Sequence, residues 1–311
     1  MSVITEPRAG TVRSARRSSS AARRGRLTGA LLTAPALAAL VVTILFPLLW
    51  TVWLSLESFG LGPGTPVEFA GLHNYARILT SSSFLTALLH TLGYVCVTLI
   101  VELVAGLAIA QVLRKATPGR KTLRLVIAIP LMIAPVVASM AFRFLFSNGY
   151  GLVNGGLALF GLPTPSWFGE PWLARTTILI TNLWLAVPFV VLVLLAGIAG
   201  IPDELEEAAR IDGASAWQIF FRITLPLLRP SILIVLVIRL ADAFRVFDSI
   251  YVLTGGGPAN STEVMSSYLF RTMFENSDFS GGAAVTVLFV LIVGTIAGGI
   301  FFALRERGAQ A

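Results

Sequence analysis

The chain has 311 residues, of which 56% are hydrophobic and 13% are charged. Soluble globular domains carry about 25% charged residues, so this composition excludes a single water-soluble core and indicates surfaces that face lipid. The formal net charge of +7 comes from short basic blocks between apolar runs, which favours membrane orientation over nucleic-acid binding. The single cysteine, Cys96, excludes an internal disulfide, and two histidines are too few for a rich metal site.

Six apolar runs are each long enough to cross a bilayer as a helix, which takes about 20 residues. In chain order they cover residues 29–56, 84–113, 125–146, 176–200, 231–253 and 282–304. Several of them contain prolines, which bundles in membranes tolerate because neighbouring helices satisfy the freed backbone groups. The sequence therefore predicts an all-α, polytopic membrane protein with six transmembrane helices.

The arginines and lysines outside these runs are distributed unevenly between the two sides of the predicted bundle. Seventeen lie in the N-terminal tail, the second and fourth connections and the C-terminus, and three lie in the opposite connections. Positive residues accumulate on the cytoplasmic side, so we expect both termini in the cytoplasm. Residues 1–26, rich in Ser and Arg, are predicted to form a disordered basic cytoplasmic tail, and residues 27–311 one transmembrane domain.

The fourth connection, residues 201–230, reads as two short helices. Four acidic residues open the first one, where they suit the helix dipole: Asp203, Glu204, Glu206 and Glu207. Gly213 is expected to end it, since glycine readily takes positive φ. A second helix is predicted from Ala216 to about Ile223, and Pro226 and Pro230 are expected to end it and redirect the chain.

Seven positions of this connection match, in residue and in spacing, the EAA loop of binding-protein-dependent ABC import permeases. They are Glu207, Ala208, Ala209, Gly213, Ile223, Leu225 and Pro226. Two further segments are similar to the carbohydrate branch of that family, which includes maltose, trehalose and glycerophosphodiester permeases. One is Gly71-Leu-His-Asn-Tyr75, and the other is Asp248-Ser-Ile-Tyr-Val-Leu-Thr-Gly-Gly-Gly-Pro258 followed by Asn260-Ser-Thr-Glu263.

The resemblance implies a type I ABC importer permease fold, placed in the bacterial inner membrane, and no enzymatic activity. It implies one permease subunit of an ATP-driven importer for a sugar, such as the disaccharides trehalose or maltose. The implied partners are a second homologous permease, an extracytoplasmic sugar-binding protein and an ABC ATPase dimer, in whose cleft the EAA loop sits as a coupling helix. No nucleic acid is expected as a partner.

No cofactor is expected in this chain, because ATP and Mg would be bound by the ATPase partner. The sequence contains no Gly-x4-Gly-Lys-Ser/Thr phosphate loop. Its nearest look-alike, Pro118-Gly-Arg-Lys-Thr122, lacks the first glycine and lies in a basic connection.

The resemblance also implies where a sugar would bind, at positions of the fourth and fifth apolar runs. These are Asn182, Leu185, Ala186, Phe189, Arg239, Asp242, Ala243 and Val246. The four positions of the fifth run fall within a narrow arc of an ideal helix, so they can share one surface. Because charged residues replace the small, aromatic and amide side chains found in the maltose permease, the identity of the sugar stays open.

Charges inside the apolar runs are functional candidates, because ionisable groups are costly in a membrane. Arg239 and Asp242 are three residues apart, and both substrate contact and structural pairing remain open for them. Arg245 and Asp248 have the same spacing and are predicted to pair. Glu102 is expected to be a buried structural acid, paired with an arginine of the fifth run.

Two other classes of transporter remain as alternatives. A proton-coupled secondary carrier could use Glu102, Asp242 or Asp248 as its proton site, although such carriers show paired repeats. An ion channel would need a ring of selectivity residues, which the sequence does not display. Within the ABC class, a glycerophosphodiester or another polar solute is the alternative substrate.

Overall fold

The computed structural model describes residues 32–58, 67–114 and 119–308, with side chains described for all of these except 120, 121 and 300–308. The predicted tail 1–26 therefore lies outside the described residues, as do the first three residues of the first apolar run. The described residues form thirteen helices, α1 to α13, and one two-stranded antiparallel sheet. The sheet pairs β1 (Glu57–Ser58) with β2 (Glu68–Phe69), Glu57 lying opposite Phe69.

Four helices are long and apolar enough to cross a membrane on their own. They are α1 (Leu32–Ser55, with a π-helical turn at Val41–Leu45), α3 (Ser82–Arg114), α7 (Pro171–Ala199) and α13 (Phe279–Gly308). They coincide with the first, second, fourth and sixth predicted spans, with ends that differ by up to five residues. In lipid, a helix lets an apolar run of this length satisfy all of its backbone hydrogen bonds within itself.

The third predicted span, residues 125–146, is broken and does not form one continuous helix. This run forms α4 (Arg120–Ala128), a 3-10 turn (Ile129–Met132) and α5 (Pro135–Leu145), and the two halves are bent by 100°. Pro135 explains the break, because the residue before a proline is pushed towards extended backbone. Ala134 accordingly has ψ 135°.

The prediction of one helix over residues 231–253 is wrong. It forms α10 (Arg229–Phe244), a short break, and the separate helix α11 (Asp248–Leu253). The backbone leaves the helical region at Phe247, where φ is −136°. No glycine or proline marks this break in the sequence.

The second helix of the fourth connection continues further than expected. Helix α9 runs over Ala216–Leu227 through a π-helical turn at Phe220–Thr224, and it meets α10 at an angle of 64°. Pro226 therefore does not end it, contrary to the prediction. The widened turn ahead of Pro226 explains this, because a π turn already omits ordinary i to i−4 hydrogen bonds. Counting each bent pair, α4–α5 and α9–α10, as one span gives up to six spans.

Four shorter helices complete the described part of the chain. They are α2 (His73–Leu79), α6 (Leu152–Leu159), α8 (Asp203–Ile211) and α12 (Met265–Phe270).

The α3–α7 pair forms the scaffold on which the site is built. At Gly106 of α3 an added Cβ would lie 2.4 Å from Val190 Cγ1 of α7, so the two backbones approach closely because this residue is glycine. One buried apolar cluster continues this contact through Leu113, Leu194 and Ile198, and α10 joins it through Val235.

Candidate functional site

A cavity of about 340 Å³ lies between α3, the α4–α5 bend, α7, α10 and the start of α11. Seven of the eight positions predicted to contact a sugar line it: Asn182, Leu185, Ala186, Arg239, Asp242, Ala243 and Val246. Phe189 does not line it, since it sits two turns beyond Asn182 along α7. The structure thus brings together most of a set that the sequence divides between two distant runs.

Other lining residues were not predicted from the sequence. They are Tyr94, Pro130, Leu131, Ile133, Pro135, Arg245, Phe247, Asp248 and Ser249. The prolines belong to the α4–α5 bend, Arg245 and Phe247 belong to the break between α10 and α11, and Asp248 and Ser249 begin α11. The missed breaks therefore account for all of these residues except Tyr94, which lies on α3.

The charged centre of the cavity is Arg239. Its Nε and Nη2 donate hydrogen bonds of 2.8 and 2.9 Å to the two carboxylate oxygens of Glu102, which is 1% exposed. Its Nη1 donates to Asp242 Oδ2 at 3.0 Å. The predicted partner of Glu102 in the fifth run is therefore confirmed as Arg239, and this two-pronged pair positions the guanidinium firmly.

Asp242 is the carboxylate of this centre that remains open to the cavity, with its side chain 41% exposed. Arg245 Nη2 lies 3.5 Å from its Oδ1. The predicted pairing of Arg245 with Asp248 is wrong, because the helix ends at Phe244 and Asp248 begins the next one. Arg245 instead turns back towards Asp242.

Asn182 is held by its neighbours in a fixed orientation. Its Nδ2 donates to Ile178 O at 2.9 Å and to Ser249 Oγ at 2.8 Å, while Ser249 Oγ lies 3.2 Å from Asn182 Oδ1. Ser249 lies on α11, so this contact joins α7 to the segment beyond the α10–α11 break.

The cavity thus combines a carboxylate, a guanidinium and an amide with the aromatic residues Tyr94 and Phe247. Such a mixture suits a polar solute with hydroxyl groups, which needs hydrogen-bonding partners and an apolar wall. Within the described part of the chain, no group of three or more His, Cys, Asp and Glu residues could hold a metal ion.

The EAA-like loop forms the second candidate region. Helix α8 follows α7 after only three residues and ends before Gly213, whose φ is +81°. The prediction that Gly213 ends α8 is confirmed. Glycine is needed there for its positive φ and not for lack of space, since nothing lies within 4 Å of an added Cβ. Helix α9 then starts with a capping box, in which Ser215 accepts a hydrogen bond from Gln218 N and Gln218 Oε1 accepts one from Ser215 N.

Two neighbouring glutamates of α8 point in different directions. Glu206 is 3% exposed, and Arg114 of α3 and Thr224 of α9 donate hydrogen bonds to its Oε1. Burial alone would raise the pKa of Glu206, but the hydrogen bonds from Arg114 and Thr224 and the nearby charges of Arg114 and Arg210 hold that pKa below its usual value. Glu207, by contrast, is exposed.

The outward surface of the loop carries an apolar patch. Three large side chains on it are strongly exposed: Ile211, Trp217 and Phe221. Ala208 is exposed beside them, whereas Ala209, Ile223, Leu225 and Pro226 are half-buried. An exposed apolar patch next to a charge is typical of a surface that a partner covers.

The other segments that carried the resemblance are packed into the fold. Asn74 Nδ2 donates to Glu57 O at 2.8 Å, and Thr262 Oγ1 donates to Gly257 O at 2.7 Å. Glu263 is 4% exposed and lies 2.9 Å from Arg271 Nη1, and burial raises the pKa of its carboxyl. These contacts hold the connections in which the residues lie.

Comparison with known families decides between the classes of transporter. Residues 102–309 match the family described as "Binding-protein-dependent transport system inner membrane component". The chain belongs to this family. It is accordingly a multi-pass inner-membrane transport component and not an enzyme.

Several curated relatives align over most of their own length. The trehalose/maltose transport system permease protein MalF of Thermococcus litoralis is 38% identical, over 85% of this chain and 90% of the relative. The trehalose transport system permease protein SugA of Mycobacterium tuberculosis is 36% identical, over 90% and 89%. The sulfoquinovosyl glycerol transport system permease protein SmoG of Agrobacterium fabrum is 35% identical, over 85% of each.

Solved structures share the fold. A chain of a bacterial ABC transporter involved in the import of the acidic polysaccharide alginate superposes with a TM-score of 0.79 at 24% identity, covering 94% of this chain and 99% of that one. A chain of the alginate transporter in complex with its alginate pentasaccharide-bound periplasmic protein gives a TM-score of 0.78 at the same identity, covering 91% and 95%.

Proposed function

We propose that this chain is the permease subunit of an ATP-driven sugar importer and forms half of its translocation pathway. The observation that carries the proposal is the cavity, which gathers Asn182, Arg239 and Asp242 next to aromatic residues. Relatives named for trehalose and maltose favour a disaccharide of that kind.

Within the cavity we assign the direct contacts to Asp242 and Asn182. Arg239 uses three of its five N–H groups on Glu102 and Asp242, so its main role is to position the Asp242 carboxylate. An exposed carboxylate accepts charge-assisted hydrogen bonds from sugar hydroxyls. Leu185, Ala186, Ala243 and Val246 supply the apolar wall, and Phe189 would act only indirectly.

A second candidate substrate is an anionic polar solute, such as a glycerophosphodiester. The specific observation in its favour is Arg245, which lines the cavity with a side chain that is 80% exposed. A guanidinium with this freedom could bind a phosphate or sulfonate group.

The arrangement in the membrane is also a proposal. We infer six spans, with the bent pair α4–α5 counted as one and α10 as the fifth, and both termini in the cytoplasm, as the distribution of Arg and Lys indicates. Cysteine substitutions at Ser18 and Ser261, in a Cys96→Ser background, test this in intact cells. Position 261 should react with an impermeant reagent, and reaction at position 18 would refute the assignment.

The partners that we propose are inferred first from the exposed surface of the loop. The exposed surface of Glu207, Ala208, Ile211, Trp217 and Phe221 would dock in a cleft of an ABC ATPase dimer. That dimer would bind ATP and Mg, and this chain would bind neither. A second homologous permease and an extracytoplasmic sugar-binding protein would complete the importer.

Uptake in reconstituted vesicles tests the function. The complex purified through this chain should import labelled trehalose or maltose only with ATP, and an ATPase whose catalytic glutamate is replaced should abolish import. Competition by an unlabelled glycerophosphodiester separates the two candidate substrates. Uptake driven by a proton gradient without ATP would contradict the proposal and favour a secondary carrier.

A further inference from the structure

An ion pair joins the coupling loop to a span that is remote in sequence. Arg114 is the last residue of α3, and its Nη1 donates a hydrogen bond to Glu206 in the first turn of α8, 92 residues later. Asp203 lies 3.6 Å from Arg114 Nη2, and Thr224 Oγ1 donates to Glu206 Oε1 at 2.9 Å. The pair thus links α3, α8 and α9 at one point.

Both charges are well placed for a lasting contact. A cation at the C-terminus of α3 and an anion at the N-terminus of α8 each complement the dipole of their own helix. Glu206 is shielded from water, and removing Arg114 would leave its buried charge with only the exposed Arg210, 3.6 Å away, as an ionic partner. The link therefore resists separation more than an exposed surface pair would.

Along the chain, the loop adjoins α7 and α10 and is remote from α3. Helix α8 follows α7 directly, and α9 leads into α10 at Leu228. A displacement of the loop would reach α7 and α10 through the backbone. It reaches α3 directly through Arg114 and Glu206.

Helix α3 also carries the buried acid of the cavity. Glu102 precedes Arg114 by twelve residues, about 18 Å along the helix, and it binds Arg239 with two hydrogen bonds. Close packing at Gly106 and Val190 holds α3 against α7, which carries Asn182. Dense packing transmits displacement because it cannot be compressed.

We propose that Arg114 and Glu206 are positioning residues for transport, which tie the coupling helix α8 to α3 so that movement of the loop moves the cavity. This inference rests on the proposed function, and it assigns a role to a glutamate outside the seven positions that match the EAA loop. Glu206 faces the spans, while Glu207 faces the ATPase.

The test uses the complete transporter in vesicles, with binding protein and sugar. The variants are Glu206→Gln, Arg114→Gln, the double variant, and Arg114→Lys, which keeps the charge but loses the planar fork. Glu204→Gln is the matched control, because Glu204 is an exposed acid of the same helix. Four quantities are measured: assembled complex, basal ATP hydrolysis, hydrolysis stimulated by the loaded binding protein, and sugar import.

Each Gln variant should keep basal hydrolysis within about twofold but lose import and stimulated hydrolysis together, by about tenfold or more, because both require movement to pass between the loop and α3. The double variant should be no worse than the more severe single variant, since both act on one contact. Arg114→Lys should lie between wild type and Arg114→Gln, and Glu204→Gln should match wild type.

Three results would overturn the inference. Import and stimulation could stay normal in both Gln variants. The two single effects could add in the double variant. Alternatively, the Gln variants could only lower the amount of complex while Arg114→Lys couples normally, which would show a purely structural pair. A wild-type complex that imports no sugar with ATP would instead refute the proposed function.

Discussion

Two arginine–carboxylate centres each include one residue of α3, Glu102 in the cavity and Arg114 at the coupling loop. In the cavity, Arg239 and Glu102 are largely buried, and the second carboxylate, Asp242, is exposed. In the coupling loop the carboxylate of Glu206 is buried, and the side chain of Arg114 retains more exposure, 22% against 4%. The cavity thus offers an acceptor to a solute, whereas the carboxylate of Glu206 is turned towards the spans.

The difference separates recognition from coupling. A carboxylate that faces a cavity can exchange water for solute hydroxyls at little cost, because it is already held by its arginine. A carboxylate that faces the spans leaves the outer surface of the loop to Glu207 and to the apolar patch of Ala208, Ile211, Trp217 and Phe221. That apolar surface suits a protein partner. The predictions below alter one centre or the other.

The largest effect should come from Glu102→Ala. Removing this acid leaves Arg239 buried with only Asp242 as partner, and breaking a buried pair on one side costs about 3–5 kcal/mol. We expect little folded protein in the membrane, measured by its amount and melting temperature after extraction. A double variant, Glu102→Met with Arg239→Met, should recover folding but not import. Normal folding of Glu102→Ala would show that the pair is not structural.

A smaller and more local effect is expected from Gly213→Val. Positive φ costs an ordinary L-residue about 1–2 kcal/mol, and a β-branched side chain is the least tolerant. The variant should release the ATPase or hydrolyse ATP without import, while Gly213→Asn should keep part of the coupling because asparagine tolerates this region. Gly294→Val, in α13 where nothing lies within 4 Å of an added Cβ, is the control. Normal ATPase binding and import by Gly213→Val would contradict this role of the bend.

The smallest effect should be the pH dependence of the loop centre. Because the pKa of Glu206 in the folded protein lies below the ordinary value of 4.5, its stabilising contribution is present above that value and disappears as pH falls through the lowered pKa. The difference in melting temperature between wild type and Glu206→Gln should therefore shrink as pH falls from 6 towards 3. A difference that grows towards low pH would have the wrong sign.

The sequence predicts some parts of this molecule well because the signal is local. Long apolar runs predicted α3, α7 and α13, and Gly213 predicted the end of α8. Most of the cavity positions were implied by the resemblance to carbohydrate permeases, and the helical period added that the four positions of the fifth run share a face.

Other parts depend on tertiary contacts that a single sequence does not contain. The break after Phe244 carries no glycine or proline, so the pairing of Arg245 with Asp242 and the contact of Ser249 with Asn182 could not be foreseen. The α4–α5 bend had a signal in Pro130 and Pro135, but its apolar length favoured a straight span. The inward turn of Glu206 depends on Arg114, which only the fold brings close.

The most direct test of the account is sugar import by Asn182→Ala in the reconstituted transporter, with hydrolysis stimulated by the binding protein measured in the same vesicles. Asn182 lies in the cavity, and its hydrogen bonds go to Ile178 and Ser249 and not to either arginine centre. Folding and coupling should therefore persist in the variant. Removing an amide that hydrogen-bonds a sugar hydroxyl costs about 1–3 kcal/mol of binding free energy. We predict import reduced by about tenfold or more at limiting sugar, with stimulated hydrolysis retained. Import at the wild-type rate by normally assembled Asn182→Ala protein would contradict the placement of the sugar in this cavity.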